Sequence, residues 1–172
     1  PCPKLIAPAM NTKKFENPVT QDNLEALRRY GWEVIAPDSG RLACGAVGAG
    51  KLPEPGLLLQ HVLRAAALPH DLAGARVLVT AGPTQEALDP VRYLTNHSTG
   101  RMGYAVARMA MLRGAEVVLV SGPAADPPPP FVEVVDTVSA GDMFEAVSAR
   151  QQWAGFIFMA AAVADYTPAE YA

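Results

Sequence analysis

Residues 96–103, Asn96-His97-Ser98-Thr99-Gly100-Arg101-Met102-Gly103, set small hydroxyl side chains and glycines ahead of an apolar-periodic run. At a helix start such residues leave backbone N–H groups free, and the helix dipole favours an anion there. Arg101 adds a charge-assisted contact to a phosphate. The plainer alternative is an ordinary capped helix without a ligand, because Ser and Thr are common caps. His97 reads as a loop histidine rather than a base. Asp165, just past an apolar run, has the chemistry to ligate Mg²⁺ or to accept from a base or sugar, and equally to cap a helix or close a turn. Gly82-Pro83-Thr84 follows the strand-like RVLVT and invites a dinucleotide reading. No glycine follows at G-x-G-x-x-G spacing, which disfavours a classical NAD site. Asn11, directly after a short apolar run, suits an amide that fixes a carboxylate or a flavin edge; a turn-forming Asn is the plainer reading. Cys44 lies in Leu42-Ala43-Cys44-Gly45. A lone thiol is by default a buried structural residue. In a mobile glycine-rich loop it instead closes over a substrate and exchanges a proton.

Positioning these residues is the task of an alternating pattern of short apolar runs and helical periodicity, the signature of parallel α/β sheets. Strands are expected at 4–7, 32–36, 76–80, 115–120, 131–135 and 156–162. The first helix should begin at Asn17-Pro18, a cap followed by proline at the first helical position, and should stop at Gly31. Others follow at 57–68, after Gly100 with Met102, Ala105, Val106 and Met109 on one face, and from Ser139, whose pairing with Asp142 resembles a capping box. Residues 37–55 and 89–100 read as loop, and 126–130 as a stiff polyproline connector. The pattern pauses near residue 70, where a boundary is expected. Ligands of open parallel sheets bind at the carboxyl ends of strands, which selects the loops 8–11, 39–50, 82–84, 96–103 and 161–165.

Composition narrows the class. The chain has 172 residues, half of them hydrophobic, enough for a core and too many for global disorder. A formal charge of −3 gives no electrostatic reason to expect nucleic acid. Two cysteines make neither a disulfide scaffold nor a zinc cluster. There is no apolar run of the roughly 18 residues that span a bilayer, and no signal-peptide core, so a cytoplasmic protein without a membrane partner is expected.

Taken in order, these motifs resemble one family, the bacterial bifunctional phosphopantothenoylcysteine decarboxylases/phosphopantothenate–cysteine ligases of coenzyme A biosynthesis. Ala7-Pro8-Ala9-Met10-Asn11 and LACG…GAGK look like the C-terminal part of the decarboxylase. VTAGPTQEALDPVRYLTNHSTGRMGYAVA, RGAEVVLVSGP and AAAVADYTP look like the start of the ligase. The resemblance implies three-layer Rossmann-like parallel α/β sheets in two part-domains, 1–70 from the flavin-dependent decarboxylase and 71–172 from the CTP-dependent ligase. It implies a multifunctional lyase and ligase using FMN and Mg²⁺. One reaction joins 4′-phosphopantothenate and cysteine at the expense of CTP, through an acyl-cytidylate. The other decarboxylates 4′-phosphopantothenoylcysteine to 4′-phosphopantetheine.

Residue by residue, the resemblance gives Asn11 the substrate carboxylate near the flavin and Cys44 the protonation of the enethiolate intermediate. It places Asn96 around the acyl-cytidylate, Ser98 near the nucleotide phosphates, and Gly82, Ala161 and Asp165 beside the nucleotide. Arg101 stands where the family often has Lys, which keeps the charge. After Asn11 the family often continues x-x-Met-Trp, whereas Thr12-Lys13-Lys14-Phe15 keeps an aromatic and loses the Met. The decarboxylase's N-terminal half and the ligase's Lys-rich segment have no counterpart here, so a central fragment is expected. Homo-oligomers, trimers for the decarboxylase and dimers for the ligase, are implied by the resemblance and not by any periodicity. Two rival classes stand beside this reading: another Rossmann-like nucleotide-binding module using NAD(P), and a non-catalytic assembly fragment.

Overall fold

The computed structural model describes residues 2–42, 45 and 47–169, and the chain divides into two compact units, Pro1–Ala67 and Leu68–Ala172. Unit 1 opens with β1 (Lys4–Ile6), a single-turn α1 (Thr12–Phe15), α2 (Pro18–Arg29) and β2 (Trp32–Val34), and β1 pairs with β2 in parallel. Helix α2 begins as its sequence dictates. The Asn17 side chain accepts from Val19 N–H at 2.9 Å, and Pro18 occupies the first turn, where its missing N–H leaves nothing unpaired. Helix α3 (Pro55–Ala66) closes the unit, and its His61 Nδ1 stands 2.6 Å from Glu33 Oε1 of β2.

The stretch 37–55, expected as loop, instead carries a hairpin, β3 (Asp38–Arg41) with β4 (Val47–Lys51), antiparallel with Arg41 opposite Val47. Its glycines serve a close approach. A Cβ on Gly50 would stand 2.0 Å from Met10 O, and Met10 N–H donates to Gly50 O at 3.0 Å, so the chain after β1 is laced directly onto β4.

Unit 2 is built on β5 (Arg76–Ala81), β8 (Glu116–Ser121), β9 (Glu133–Asp136) and β10 (Phe156–Met159), all parallel, in the spatial order β10-β5-β8-β9. The two central strands, RVLVTA and EVVLVS, are buried after their first residue, as near-continuous apolar strands covered on both faces must be. One face packs Leu78, Val118 and Val120 on Met143 of α5 (Ala140–Ser148). The opposite face, with Val77 and Ala81, meets α4 (Arg101–Leu112). The result is three layers. Edge strand β10 has one neighbour, and all four of its apolar residues are exposed. The polar stretch after β5 also departs from the loop expectation, because β6 (Gln85–Ala87) and β7 (Tyr93–Thr95) pair as an antiparallel hairpin.

Helix α4 presents a different face from the expected one. Gly103, Ala107, Ala110, Met111 and Leu112 are buried, while Met102 and Met109 are 68% and 48% exposed. Small residues face the sheet because the helix lies very close to it. A Cβ on Gly103 would sit 2.5 Å from Ala81 Cβ and 2.9 Å from Thr80 O. Gly103→Val should therefore push α4 off β5 and lower stability by about 2 kcal/mol or more. Thermal denaturation checks this, and an unchanged melting temperature would contradict the packing.

Helix α5 carries the capping box read in the sequence: Ser139 Oγ accepts from Asp142 N–H, and the Asp142 carboxylate accepts from Ser139 N–H. The Ser139 backbone N–H first, then the Ser139 hydroxyl and the Val138 N–H, hold the Asp142 carboxyl below the ordinary carboxylate range. A lowered folded-state pKa adds stability above the unfolded pKa, and that stability is lost as pH falls through the folded value. Asp142→Asn should flatten part of the acid limb of a stability–pH curve below about pH 4. An acid limb identical to that of the parent would contradict the assignment. A second carboxylate, Glu86 Oε1, accepts from Ala140 N–H at 2.7 Å and completes this helix end from the β6–β7 hairpin.

Candidate functional site

Strand order locates the crevice. From β5 the chain moves outward to β8 and β9, then crosses back to the other side of β5 as β10, so the switch point lies between β5 and β10. The segments leaving those strands are 82–84 and 160–165. Ala162 N–H donates to Gly82 O at 2.9 Å, and Thr84 N–H to Ala162 O at 3.3 Å, continuing the pairing past the strand ends.

Buried hydroxyls hold the second segment in place. Thr80 Oγ1 accepts from the N–H groups of Ala160 and Ala161 at 3.1 and 3.2 Å, and Thr84 Oγ1 accepts from Ala164 N–H at 2.9 Å. Both threonines are fully buried. Neither stood out in the sequence, where a single Thr inside or just after a strand carries no signal of a contact about 80 residues away.

Asn96, at the end of β7, reaches the same segment. Its Nδ2 donates to Val163 O at 2.9 Å and to Ala162 O at 3.3 Å. The side chain thus clasps the backbone between Ala161 and Asp165 onto the β6–β7 hairpin, which Thr95 Oγ1 anchors in turn by donating to Thr84 O. Asp165 is exposed at the rim and Ala161 is half-buried.

The start of α4 completes the group. Its N-cap is Gly100, with φ +74° and no capping side chain, and a Cβ there would press on Gly82 Cα and N, each at 3.3 Å. Gly82, Gly100 and Gly103 together supply the tight strand exit and the helix–strand contact that the linear G-x-G-x-x-G motif supplies in dinucleotide folds. The β6–β7 hairpin separates the first of them from the other two, which hides the pattern in the sequence. Ser98 Oγ and Thr99 Oγ1 accept from Gly100 N–H and Arg101 N–H at 3.4 and 3.5 Å, long contacts that a stronger acceptor displaces. Arg101 is not aimed at an unoccupied centre. Its Nε donates to Asp126 Oδ2 at 2.7 Å, tying α4 to the proline-rich connector. That hydrogen bond raises the Arg101 pKa and holds Asp126 below the usual carboxylate range.

Gly82, Asn96, Ser98, Arg101, Ala161 and Asp165 therefore gather at one end of one sheet. Among the described residues no group of three or more His, Cys, Asp or Glu side chains is placed to hold a metal.

Asn11 belongs to unit 1. Its Oδ1 accepts from Lys13 N–H at 2.9 Å and caps α1, so the turn reading holds for that oxygen. The same residue lines a cleft of about 400 Å³ with Met10, Arg41 and Lys51. Because a carboxylate only accepts, the Nδ2 donors are the part of Asn11 that would meet one. This donor set also fits the polar edge of a flavin. Cys44 lies outside the described residues.

A three-layer parallel sheet with glycines and a clasped loop at its switch point defines the Rossmann-like α/β class. The sequence family described as DNA/pantothenate metabolism flavoprotein C-terminal domain matches residues 72–172, and the Flavoprotein family matches residues 2–67. The chain belongs to the DNA/pantothenate metabolism flavoprotein family. It is 44% identical over 172 residues to the coenzyme A biosynthesis bifunctional protein CoaBC of Escherichia coli K12, covering all of this chain and 42% of that protein. The protein of the same name from Mycobacterium tuberculosis H37Rv is 49% identical over 99% of this chain and 42% of the relative. The chain thus spans less than half the length of these relatives. Among solved structures, the C-terminal domain of CoaBC superposes with a TM-score of 0.55 at 52% identity, covering 58% of this chain and 50% of that one. Cab2 H337A in complex with phosphopantothenate-cysteine, at 16% identity and TM-score 0.50 over 67% of this chain and 55% of that one, shares the fold.

Proposed function

We propose that unit 2 is the N-terminal part of a CTP-dependent phosphopantothenate–cysteine ligase and unit 1 the C-terminal part of an FMN-dependent phosphopantothenoylcysteine decarboxylase, both acting in coenzyme A biosynthesis in the cytoplasm. The boundary between them falls near residue 70, and the assembled enzyme is a homo-oligomer. The Asn96 clasp at the switch point carries this reading, because it fixes the Ala161–Asp165 backbone where a nucleotide crosses the sheet end.

In the ligase step the carboxylate of 4′-phosphopantothenate attacks the α-phosphate of CTP. The acyl–phosphate bond forms and pyrophosphate leaves. The amine of cysteine then attacks the acyl carbon, and CMP leaves. Backbone N–H groups at Gly100 and Arg101 become donors to phosphate once the long Ser98 and Thr99 contacts yield. Gly82 gives the ligand access to the strand end, and Asp165 is the carboxylate that would hold a Mg²⁺ ion, which would offset phosphate charge. Asn96 keeps the loop at the spacing these contacts need.

In unit 1, a bound flavin would take two electrons from the substrate thiol, which makes loss of CO₂ feasible, and would return them once the enethiolate is protonated, leaving the product thiol. Asn11 holds the substrate carboxylate through Nδ2, its orientation set by the bond to Lys13. Cys44 delivers the proton to the enethiolate left after CO₂ departs.

Calorimetric titration of the full-length protein with CTP and with NAD(P)H tests the nucleotide assignment. Saturable binding of CTP with none of NAD(P)H is expected. The reverse preference would install the dinucleotide reading instead.

A further inference from the structure

Unit 1 concentrates positive charge around its cleft, although the chain as a whole carries −3. Arg41, on β3, and Lys51, on β4, line the same cleft of about 400 Å³ as Asn11. Across the hairpin Arg41 opposes Val47 and Lys51 opposes Asp38, so the two cations stand at different register positions and meet only through the cleft they both line. Lys13 and Lys14 follow Asn11 on α1, which the Met10–Gly50 hydrogen bond and the Thr12–Gly48 contact seat against β4. Among the described residues Arg41, Lys13 and Lys14 form no ion pair, and Lys51 has only Glu54 at 3.4 Å, with side chains 47% and 74% exposed. An exposed pair of that kind contributes little and yields readily to a doubly charged ligand.

Arg41, which forms no ion pair among the described residues, and Lys51, held only by an exposed one, line a cleft that also presents an amide, and together they describe a receptor for an anion with two ends. Asn11 serves a carboxylate. A guanidinium serves best a planar or tetrahedral oxyanion gripped by two parallel N–H groups, and an ammonium adds a point charge. We infer that Arg41, assisted by Lys51, is the specificity-determining group for the phosphate ester of the decarboxylase substrate. Substrates ending in a free alcohol at that position are discriminated against by the loss of this contact. This rests on the decarboxylase reading of unit 1.

The test uses full-length, flavin-loaded protein and two substrates, 4′-phosphopantothenoylcysteine and its dephosphorylated counterpart. The parent enzyme should prefer the phosphorylated one. Arg41→Gln should reduce that preference roughly ten-fold or more, through KM rather than kcat, and Arg41→Lys should restore part of it. A second readout needs no turnover: calorimetry with 4′-phosphopantetheine against pantetheine should show the same preference and the same loss in Arg41→Gln. A preference equal in parent and Arg41→Gln, or absent from the parent by both readouts, overturns the inference. A parent that releases no CO₂ yet binds the phosphorylated ligand selectively through Arg41 overturns the decarboxylase reading and leaves the anion receptor supported.

Discussion

Asn96→Asp in the full-length protein should lower ligation by roughly a hundred-fold while decarboxylation continues, a loss of the size expected when the group that positions a ligand-binding loop is removed. The reason is geometric and then electrostatic. Asn96 Nδ2 donates to Val163 O and Ala162 O. An ionised carboxylate only accepts, so aspartate at this position places an anion against two carbonyl oxygens and releases the loop between Ala161 and Asp165. The same charge repels an incoming triphosphate. Asn96→Ala removes the donors without adding charge, so the gap between the two variants measures the electrostatic part. Asn96 is exposed, and both variants should remain folded. Equal loss of ligation and decarboxylation in separate assays would contradict the partition of the two activities between the units.

Cys44→Ser should leave the melting temperature nearly unchanged and slow product formation by about a hundred-fold or more, the usual size of a general-acid contribution. A serine hydroxyl is a far weaker acid than a thiol, whose ordinary pKa is about 8.5. Gly40, Gly45, Gly48 and Gly50 surround the position in sequence, and Gly45, with φ +82°, adopts a conformation that other residues rarely take. Release of CO₂ should persist while the protonated product fails to accumulate, and flavin absorbance follows where the reaction stalls. A large drop in melting temperature with normal product formation would make Cys44 a core residue instead.

Local chemistry was legible before any coordinates. The Asn17-Pro18 helix start and the Ser139/Asp142 capping box are short-range devices whose partners lie within three residues, and both stand as read. Strands β5 and β8 were equally plain, because burial on both faces forces continuous apolar runs. The hairpins β3–β4 and β6–β7 were not. Tyr93–Thr95 is short and exposed throughout, and Asp38–Arg41 alternates in burial but holds only polar residues and glycine, so neither carries the hydrophobic alternation that marks a half-buried strand. Their pairing rests on backbone hydrogen bonds, which leave no hydrophobic pattern in the sequence.

Helix α4 misled for a related reason. Periodicity ranks Met102 and Met109 as core residues by their hydrophobicity, whereas the sheet selects by size and admits Gly103 and Ala107. At the candidate site, residue types selected loops that the fold gathers at one end of the sheet. The roles of Thr80, Thr84 and Asn96 depend on partners 66 to 81 positions away and emerge only when the crossover brings β10 beside β5.

The most direct measurement incubates the full-length, flavin-loaded protein with 4′-phosphopantothenate, cysteine, CTP and Mg²⁺ and follows all products by mass spectrometry. One CMP and one pyrophosphate should form for each 4′-phosphopantothenoylcysteine made, with CO₂ and 4′-phosphopantetheine following, and omission of CTP should stop the sequence at its first step. Product formation without CTP, or CTP left unconsumed while the protein turns over a nicotinamide cofactor, would contradict the assignment of the two units.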